Sequence, residues 1–216
     1  VLFRSKDFAP TSMVSVVPLV LIVHPSMPAN SVKDFIAMVK ARAGKVIMAS
    51  SGQGTSNHLA GELFQTVTGT KMVHVPFKGS GPALVDLMGG QVDVLFDQVA
   101  SSLGYIKGGR LKALAVTTPK RSTSLPEVPT LDESGLKGFD ASTTTGIMLQ
   151  AGTPAEVIAK VHAAVVKTMR LPATRESFQR IGAEALESTP EEFARVLRTE
   201  TEKWTKVVRT ANVKVE

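Results

Sequence analysis

From Met13 to Thr118, short apolar runs alternate with longer segments whose apolar residues recur at helical spacing. Val16 to Val23 reads as a buried strand. Ser31 to Ala43 predicts a helix, because Val32, Phe35, Ile36 and Val39 fall at i, i+3, i+4 and i+7 on one face. Ser31 and Asp34 supply a capping pair at its start and Gly44 a stop. Lys45 to Ser50 predicts the next strand. A helix follows over Thr55 to Thr68, with Leu59, Leu63 and Val67 in register and Gly69 at its end. Lys71 to Val75 is a third strand, and Pro82 opens a short helix closed by Gly89 and Gly90. Gln91 to Phe96 and Leu111 to Thr117 supply two more strands.

Strands alternating with helices of this length imply right-handed crossovers and a mostly parallel sheet. Ligands of such sheets bind beyond the carboxyl ends of the strands. Those ends carry HPSMP, SSGQGTS, VPFKGSG, FDQVAS and TTPKRS, all rich in Gly, Pro, Ser or Thr. One edge of the sheet is therefore expected to be a binding rim.

After Thr118 the periodicity fades, and RSTSLPEVPTLDESGLKGFDAS reads as loop. From Thr153 onward the chain is predicted helical. Thr153 to Glu156 and Thr189 to Glu192 both read as capping boxes with proline at the first helical position. The second of these helices is expected to bury Phe193, Val196, Leu197, Trp204 and Val208 on one stripe. No further sheet is predicted to follow.

Composition narrows the classes. Of 216 residues, 43% are hydrophobic and 20% charged, the balance of a globular chain. The longest apolar run, Met13 to Val23, is broken by Ser15 and Pro18 and falls short of the roughly 20 residues that a membrane helix needs. With no cysteine, thiolate chemistry and disulfides are excluded. The net charge of +6 is dispersed among 19 acids, so no nucleic-acid stripe is expected. VLFRS at the start is neither an initiator nor a signal peptide. It is the translation of a common sequencing-adapter read, so Val1 to Ser5 are expected to be foreign to the natural chain.

The chemistry concentrates in the glycine-rich loop. Gly52 and Gly54 lie between a strand and a helix start, where the backbone turns tightly and its N–H groups can approach an anion. Ser51, Thr55 and Ser56 would add hydroxyl donors, and Gln53 lies among them. An ordinary N-cap at Gly54 or Thr55 is the alternative. The run lacks the third glycine and the later acid of a dinucleotide fingerprint, and no phosphate-loop motif occurs. Lys78, beside Gly79 and Gly81, brings a point charge to the same rim or is simply a solvated loop lysine. Asp97 ends a buried strand there and either orients a ligand or caps the loop. His24, His58, His74 and His162 show no metal spacing, and no nucleophile, base and orienter set emerges. His162 is expected at the surface, and His58 in packing, with ligand contact as the alternative. No metal or cofactor is expected.

SSGQGTSNHLAGELF, HVPFKGSGPALVDLMGGQVDVLFD, GGRLKALAVTTPKRSTSLPEVPTLDESGLKGFD and AGTPAEVIAKVHAAV, in this order and spacing, resemble the substrate-binding receptors of tripartite tricarboxylate transporters, the Bug or TctC-like family. The resemblance runs from about Lys6 to Glu216. It implies an α/β, type II periplasmic-binding-protein-like fold, two lobes with a ligand cleft between them that close on the ligand. It implies binding of a small organic acid without chemistry, delivery to a membrane permease, and a periplasmic location reached by a signal peptide. By position it places Ser51 to Ser56, Phe77 to Gly79 and Asp97 in the cleft. Family members begin with a signal peptide and several further β/α units, which are expected to precede the residues present here. Near Thr144 and Thr145, where the family usually carries a tryptophan and another aromatic, this chain has threonines.

The second lobe is thus expected over 14–140, with 1–13 and 141–216 as a first-lobe remnant. The stripe Val157, Val161, Val165, Phe193, Val196, Leu197 and Trp204 is expected to be partly uncovered. The ligand is left open among citrate, C4 dicarboxylates, aromatic acids and amino acids. The rival readings are the effector domain of a LysR-type transcription regulator and a small-molecule enzyme on a similar sheet.

Overall fold

The computed structural model describes residues 5–42 and 44–213. The expectations for Val1 to Arg4, for a helix end at Ala43 and for the last three residues lie outside the described residues. In chain order the elements are β1 (Phe8–Val23), α1 (Val32–Ala41), β2 (Ile47–Ser50), α2 (Ser56–Thr68), β3 (Val73–Pro76), α3 (Ser80–Met88), β4 (Val94–Gln98), α4 (Val99–Lys107), β5 (Lys112–Val116), β6 (Ser142–Gln150), α5 (Ala155–Met169), α6 (Pro172–Arg180), β7 (Glu184–Ala185) and α7 (Pro190–Thr210). They divide into two compact units, one holding the chain up to Val17 and Thr144–Lys203, the other Pro18–Thr143 and the chain from Trp204 on.

The second unit is a three-layer α/β sandwich, with strands in the order β3-β2-β4-β1-β5. The alternation of β1 decides its layers. Leu19, Leu21 and Val23 face one side with Phe35 and Val39 of α1 and Phe64 of α2. Val20 and Ile22 face the other with Leu84 and Leu87 of α3 and Val99 of α4. Phe64 joins the layers of the first side through tilted contacts with Phe35 at 5.9 Å and Phe96 at 5.4 Å. Helix α1 starts as expected: the Ser31 hydroxyl accepts from Asp34 N, and the Asp34 carboxylate accepts from Asn30 N. Such a cap contributes about 1 kcal/mol.

Strand direction departs from the expectation. β2 runs parallel to β3 and β4, but β1 is antiparallel to both β4 and β5. Consequently β2, β3, β4 and β5 end at one edge, while β1 ends at the opposite edge. The HPSMP loop is therefore removed from the rim. It is tied instead to the start of β5, where Lys112 Nζ donates to Met27 O, Ala29 O and Asn30 Oδ1. The strand expected at Gln91 to Phe96 is displaced to Val94–Gln98, and four of its five residues are buried, which is the pattern of a central strand. The third helix begins two residues before Pro82, at Ser80.

The first unit contains strands where the sequence was read as loop and helix, β6 ahead of the tail helices and β7 between them. The early half of β1 pairs with β6 and with β7, Ser15 opposite Ala185 and Val16 opposite Glu184. The tail helices therefore have a sheet of their own. The Thr189 box is present: Glu192 N donates to Thr189 Oγ1, and Thr189 N donates to the Glu192 carboxylate. The Thr153 box is not, because Thr153 Oγ1 donates back to Gln150 O and Pro154 occupies the cap of α5. Phe193 is buried, Val161, Val165, Val196 and Leu197 are half-buried, and Val157 is exposed. In α7 it is Val207 rather than Val208 that is buried.

Candidate functional site

At the shared edge of β2, β3 and β4, the loops after β2 and β3 are tied together by their backbones. Phe77 N donates to Ser50 O at 2.9 Å and Gly79 N to Ser51 O at 3.0 Å, extending the β2–β3 pairing beyond the strands. Two glycines permit the turn. Gly52 has φ 147° and Gly79 φ 111°, values that L side chains rarely adopt. The result is that the loops leading into α2 and α3, helices on opposite faces of the sheet, meet at its edge.

Asn57, which the sequence reasoning did not single out, joins these loops to β4. Its Nδ2 donates to Phe96 O at 2.7 Å and to Asp97 Oδ1 at 3.0 Å. Ser80 Oγ donates to the same Asp97 oxygen at 2.7 Å, and Ser51 Oγ donates to Asn57 Oδ1 at 2.6 Å. Ser51, Asn57, Asp97 and Ser80 thus form one chain across three loops. Asp97 is fully buried, and its Oδ2 has no hydrogen-bond partner among the described residues. Burial pushes its carboxyl up to about 6, against the pull of hydrogen bonds from Ser80, Gln98 N and Asn57.

A second cluster supports the glycine loop from below. His58 and His74 stack with ring centroids 3.7 Å apart and planes 6° from parallel. Gly54 N donates to His58 Nδ1 at 3.1 Å, so His58 carries its ring proton on Nε2, facing Glu62 Oε1 at 3.4 Å. His74 Nε2 meets Ser50 Oγ at 2.7 Å. Burial above all lowers the His74 imidazole to about 4. His58 is thus in packing, as expected. His162 is not a plain surface residue: it is half-buried, with Nε2 against Ser188 O at 3.0 Å.

The glycine amides of the expected anion loop are already bonded within the protein. Gly52 N is used by Ser50 Oγ, Gly54 N by His58 and Thr55 N by Gly52 O. The first intrahelical bond of α2 runs from Leu59 N to Thr55 O, so the amides of Ser56, Asn57 and His58 have no partner within the helix. In α3 the corresponding amides are those of Ser80 and Gly81, Pro82 having none. The available donors therefore lie one turn further along than the glycines themselves. Thr55 occupies the N-cap position without a side-chain cap, since its hydroxyl donates to Gly52 O.

The structure brings Ser51, Gly52, Gly54, Thr55, Ser56, Gly79 and Asp97 into one connected region. Gln53 and Lys78 lie on its exposed side, and Phe77 is half-buried against the core beneath α3. The missed members are Asn57, Ser80, Ser50 and His74. The sequence offered one cue, Ser-Gly-Pro directly after Gly79, which places a hydroxyl at a helix start. A separate hollow of about 390 Å³ lies within the first unit, lined by Lys6, Pro10, Ala194, Leu197, Arg198, Thr201 and Glu202.

Residues 1–213 match the family described as tripartite tricarboxylate transporter family receptor. The chain belongs to this family. Protein BugT of Bordetella pertussis is 37% identical over 211 residues, covering 98% of this chain and 65% of BugT. The chain thus spans somewhat less than two thirds of that relative's length. Among solved structures, R. palustris Rpa4515 with adipate superposes with a TM-score of 0.86 at 33% identity, covering 96% of this chain and 69% of that one. MatC (Rpa3494) from Rhodopseudomonas palustris, with bound malate, gives 0.84 at 28% identity, covering 96% and 72%. These neighbours carry the type II binding-protein fold expected from the sequence. No helix among the described residues is long and apolar enough to cross a membrane.

Proposed function

We propose that this chain is the ligand-binding part of a periplasmic receptor that captures a small carboxylate and presents it to the membrane permease of a tripartite tricarboxylate transporter. The observation that carries the reading is the convergence of the first turns of α2 and α3 on Asp97, where Asn57 and Ser80 donate to the same Oδ1, with the amides of Ser56, Asn57, His58, Ser80 and Gly81 left without a partner within their helices. Each helix start favours an anion by about 0.3 to 1 kcal/mol before direct hydrogen bonds are added. The adipate and malate of the two structural neighbours are small carboxylates of this kind.

The ligand set comprises the loop Ser51 to Ser56, Phe77 to Gly79 and the strand end at Asp97. Gly52, Gly54 and Thr55 shape the loop, Ser56 supplies an amide, and Lys78 adds positive charge at the exposed side. The reading is of binding without turnover. Family membership favours it over the effector domain of a LysR-type regulator, which would share the lobe architecture but sit beside a DNA-binding helix pair. The test is a thermal-shift screen followed by calorimetric titration with succinate, malate, citrate, adipate, glutamate and benzoate, and with succinamide as the neutral control. At least one carboxylate should stabilise the chain and be recovered unchanged. Stabilisation by none of them, or equally by succinamide, overturns the reading.

A further inference from the structure

The hydroxyl protons of Ser50, Ser51, Thr55 and Ser80 all point inward, and that constrains what these groups can offer a ligand. Asn57 Nδ2 faces the carbonyl oxygen of Phe96 at 2.7 Å, and a carbonyl can only accept, so the orientation of the Asn57 amide is settled by its partner. Its Oδ1 therefore faces Ser51 Oγ, and at 2.6 Å the Ser51 proton must lie between them. Ser80 Oγ stands 2.7 Å from Asp97 Oδ1, an oxygen that also accepts from Asn57. Ser80 donates there whether Asp97 is ionised or carries a proton on its unpartnered Oδ2. Thr55 donates to Gly52 O, and Ser50 is enclosed by Gly52 and His74.

Turning either outer hydroxyl round is costly. If Ser51 gave its proton to a ligand, Asn57 Oδ1 would lose its partner on a residue that is 3% exposed. If Ser80 did so, two oxygen lone pairs would face each other across the short contact to Asp97. Both serines are half-buried, so what they offer a ligand is lone pairs. Behind them stands a buried carboxyl group with one oxygen unpartnered. The neighbouring amides of α2 and α3 have the opposite polarity and suit an anion.

We propose that the site selects carboxylic acids bearing a hydrogen-bond donor, a hydroxyl or an ammonium, next to the bound carboxylate, over unsubstituted acids of the same length. The donor group binds to the lone pairs of Ser51 and Ser80 while the carboxylate takes the helix amides. This inference rests on the carboxylate-receptor reading above and specifies the ligand within it.

The experiment is calorimetric titration of the chain with acids matched in length: succinate against L-malate and L-aspartate, adipate against 2-hydroxyadipate and 2-aminoadipate. Within at least one length, a substituted acid should bind about 10-fold more tightly than the plain one, as expected for one added hydrogen bond. The hydroxy and amino members show which donor the site takes. Ser51→Ala and Ser80→Ala, each checked for folding by circular dichroism, should bring that ratio to about 1 by weakening the substituted acid about 10-fold more than the plain one. Plain acids binding as tightly as substituted ones overturn the inference and leave the receptor reading standing. So does a serine variant that weakens plain and substituted acids equally, because the hydroxyl would then be donating to a carboxylate. Binding of no acid at either length overturns this inference, and the receptor reading falls with it when citrate, glutamate and benzoate fail as well.

Discussion

Replacing Asp97 by asparagine isolates the electrostatic cost of the buried acid at the centre of the site. Burial raises the Asp97 carboxyl from 3.8 to about 6 in the folded chain. Between those values the unfolded chain has lost the proton while the folded chain keeps it, so stability falls as pH rises. The full difference is about 3 kcal/mol, with roughly 2 kcal/mol of it falling between pH 4.5 and 7.5. Asp97→Asn keeps the shape and an oxygen to accept from Ser80 and Asn57, but it cannot ionise. It places an amide where Oδ2 had no partner, which costs about 1 to 3 kcal/mol at every pH. That offset cancels when the two proteins are compared across pH. The assay is urea unfolding of both chains at several pH values from 4.5 to 7.5. The stability of the variant relative to the parent should rise by roughly 2 kcal/mol over the range. A flat difference would mean that Asp97 is ionised throughout and solvated in a way the structure does not contain.

His74→Gln should show the opposite trend. The His74 imidazole is lowered to about 4, so below its unfolded value of 6.5 the parent loses stability as pH falls, and the variant should lose less over pH 6.5 to 4 in the same unfolding series. In the parent the two groups offset one another across this window, so neither is visible without its variant. Asn57→Ala removes three hydrogen bonds from a buried position and should cost about 3 kcal/mol in chemical unfolding, where a surface asparagine would cost under 0.5 kcal/mol. Gly146→Ala should destabilise by about 1 to 3 kcal/mol in the same measurement, since a Cβ at β6 would lie 2.3 Å from the ring of Phe193 and 2.9 Å from Ser12 O.

Much of the second unit was legible because it rests on short-range rules. The Val32, Phe35, Ile36 and Val39 spacing, the Ser31 cap and the glycine stops each act within a turn or two, and α1 and α2 formed where they pointed. The unit's strands were read from apolar runs for the same reason. The ends were less legible. β4 is buried on both faces, so nothing in its residues marks where pairing begins. α4 was missed because VASSLGYIK directly follows the strand and has no turn signal before it. β6 was missed because STTTGIMLQ has a polar start and no clean alternation; it is a strand because the early half of β1 lies beside it.

The direction of β1 shows where local reasoning stops. Its apolar run is the same read either way, and only its pairing with Asp97 and Val116, far along the chain, makes it antiparallel and moves HPSMP to the other edge. The site divides in the same way. Glycines between a strand and a helix are visible in sequence because the turn itself requires them. The Asn57 to Asp97 bond spans forty positions, and no local pattern announces it. Nor could the sequence say which way the serine protons point, because that depends on which acceptors folding places beside them. Local spacing determined the helices, the strands and the loop between them; tertiary packing decided strand direction, the donors left available and the polarity of the surface a ligand meets.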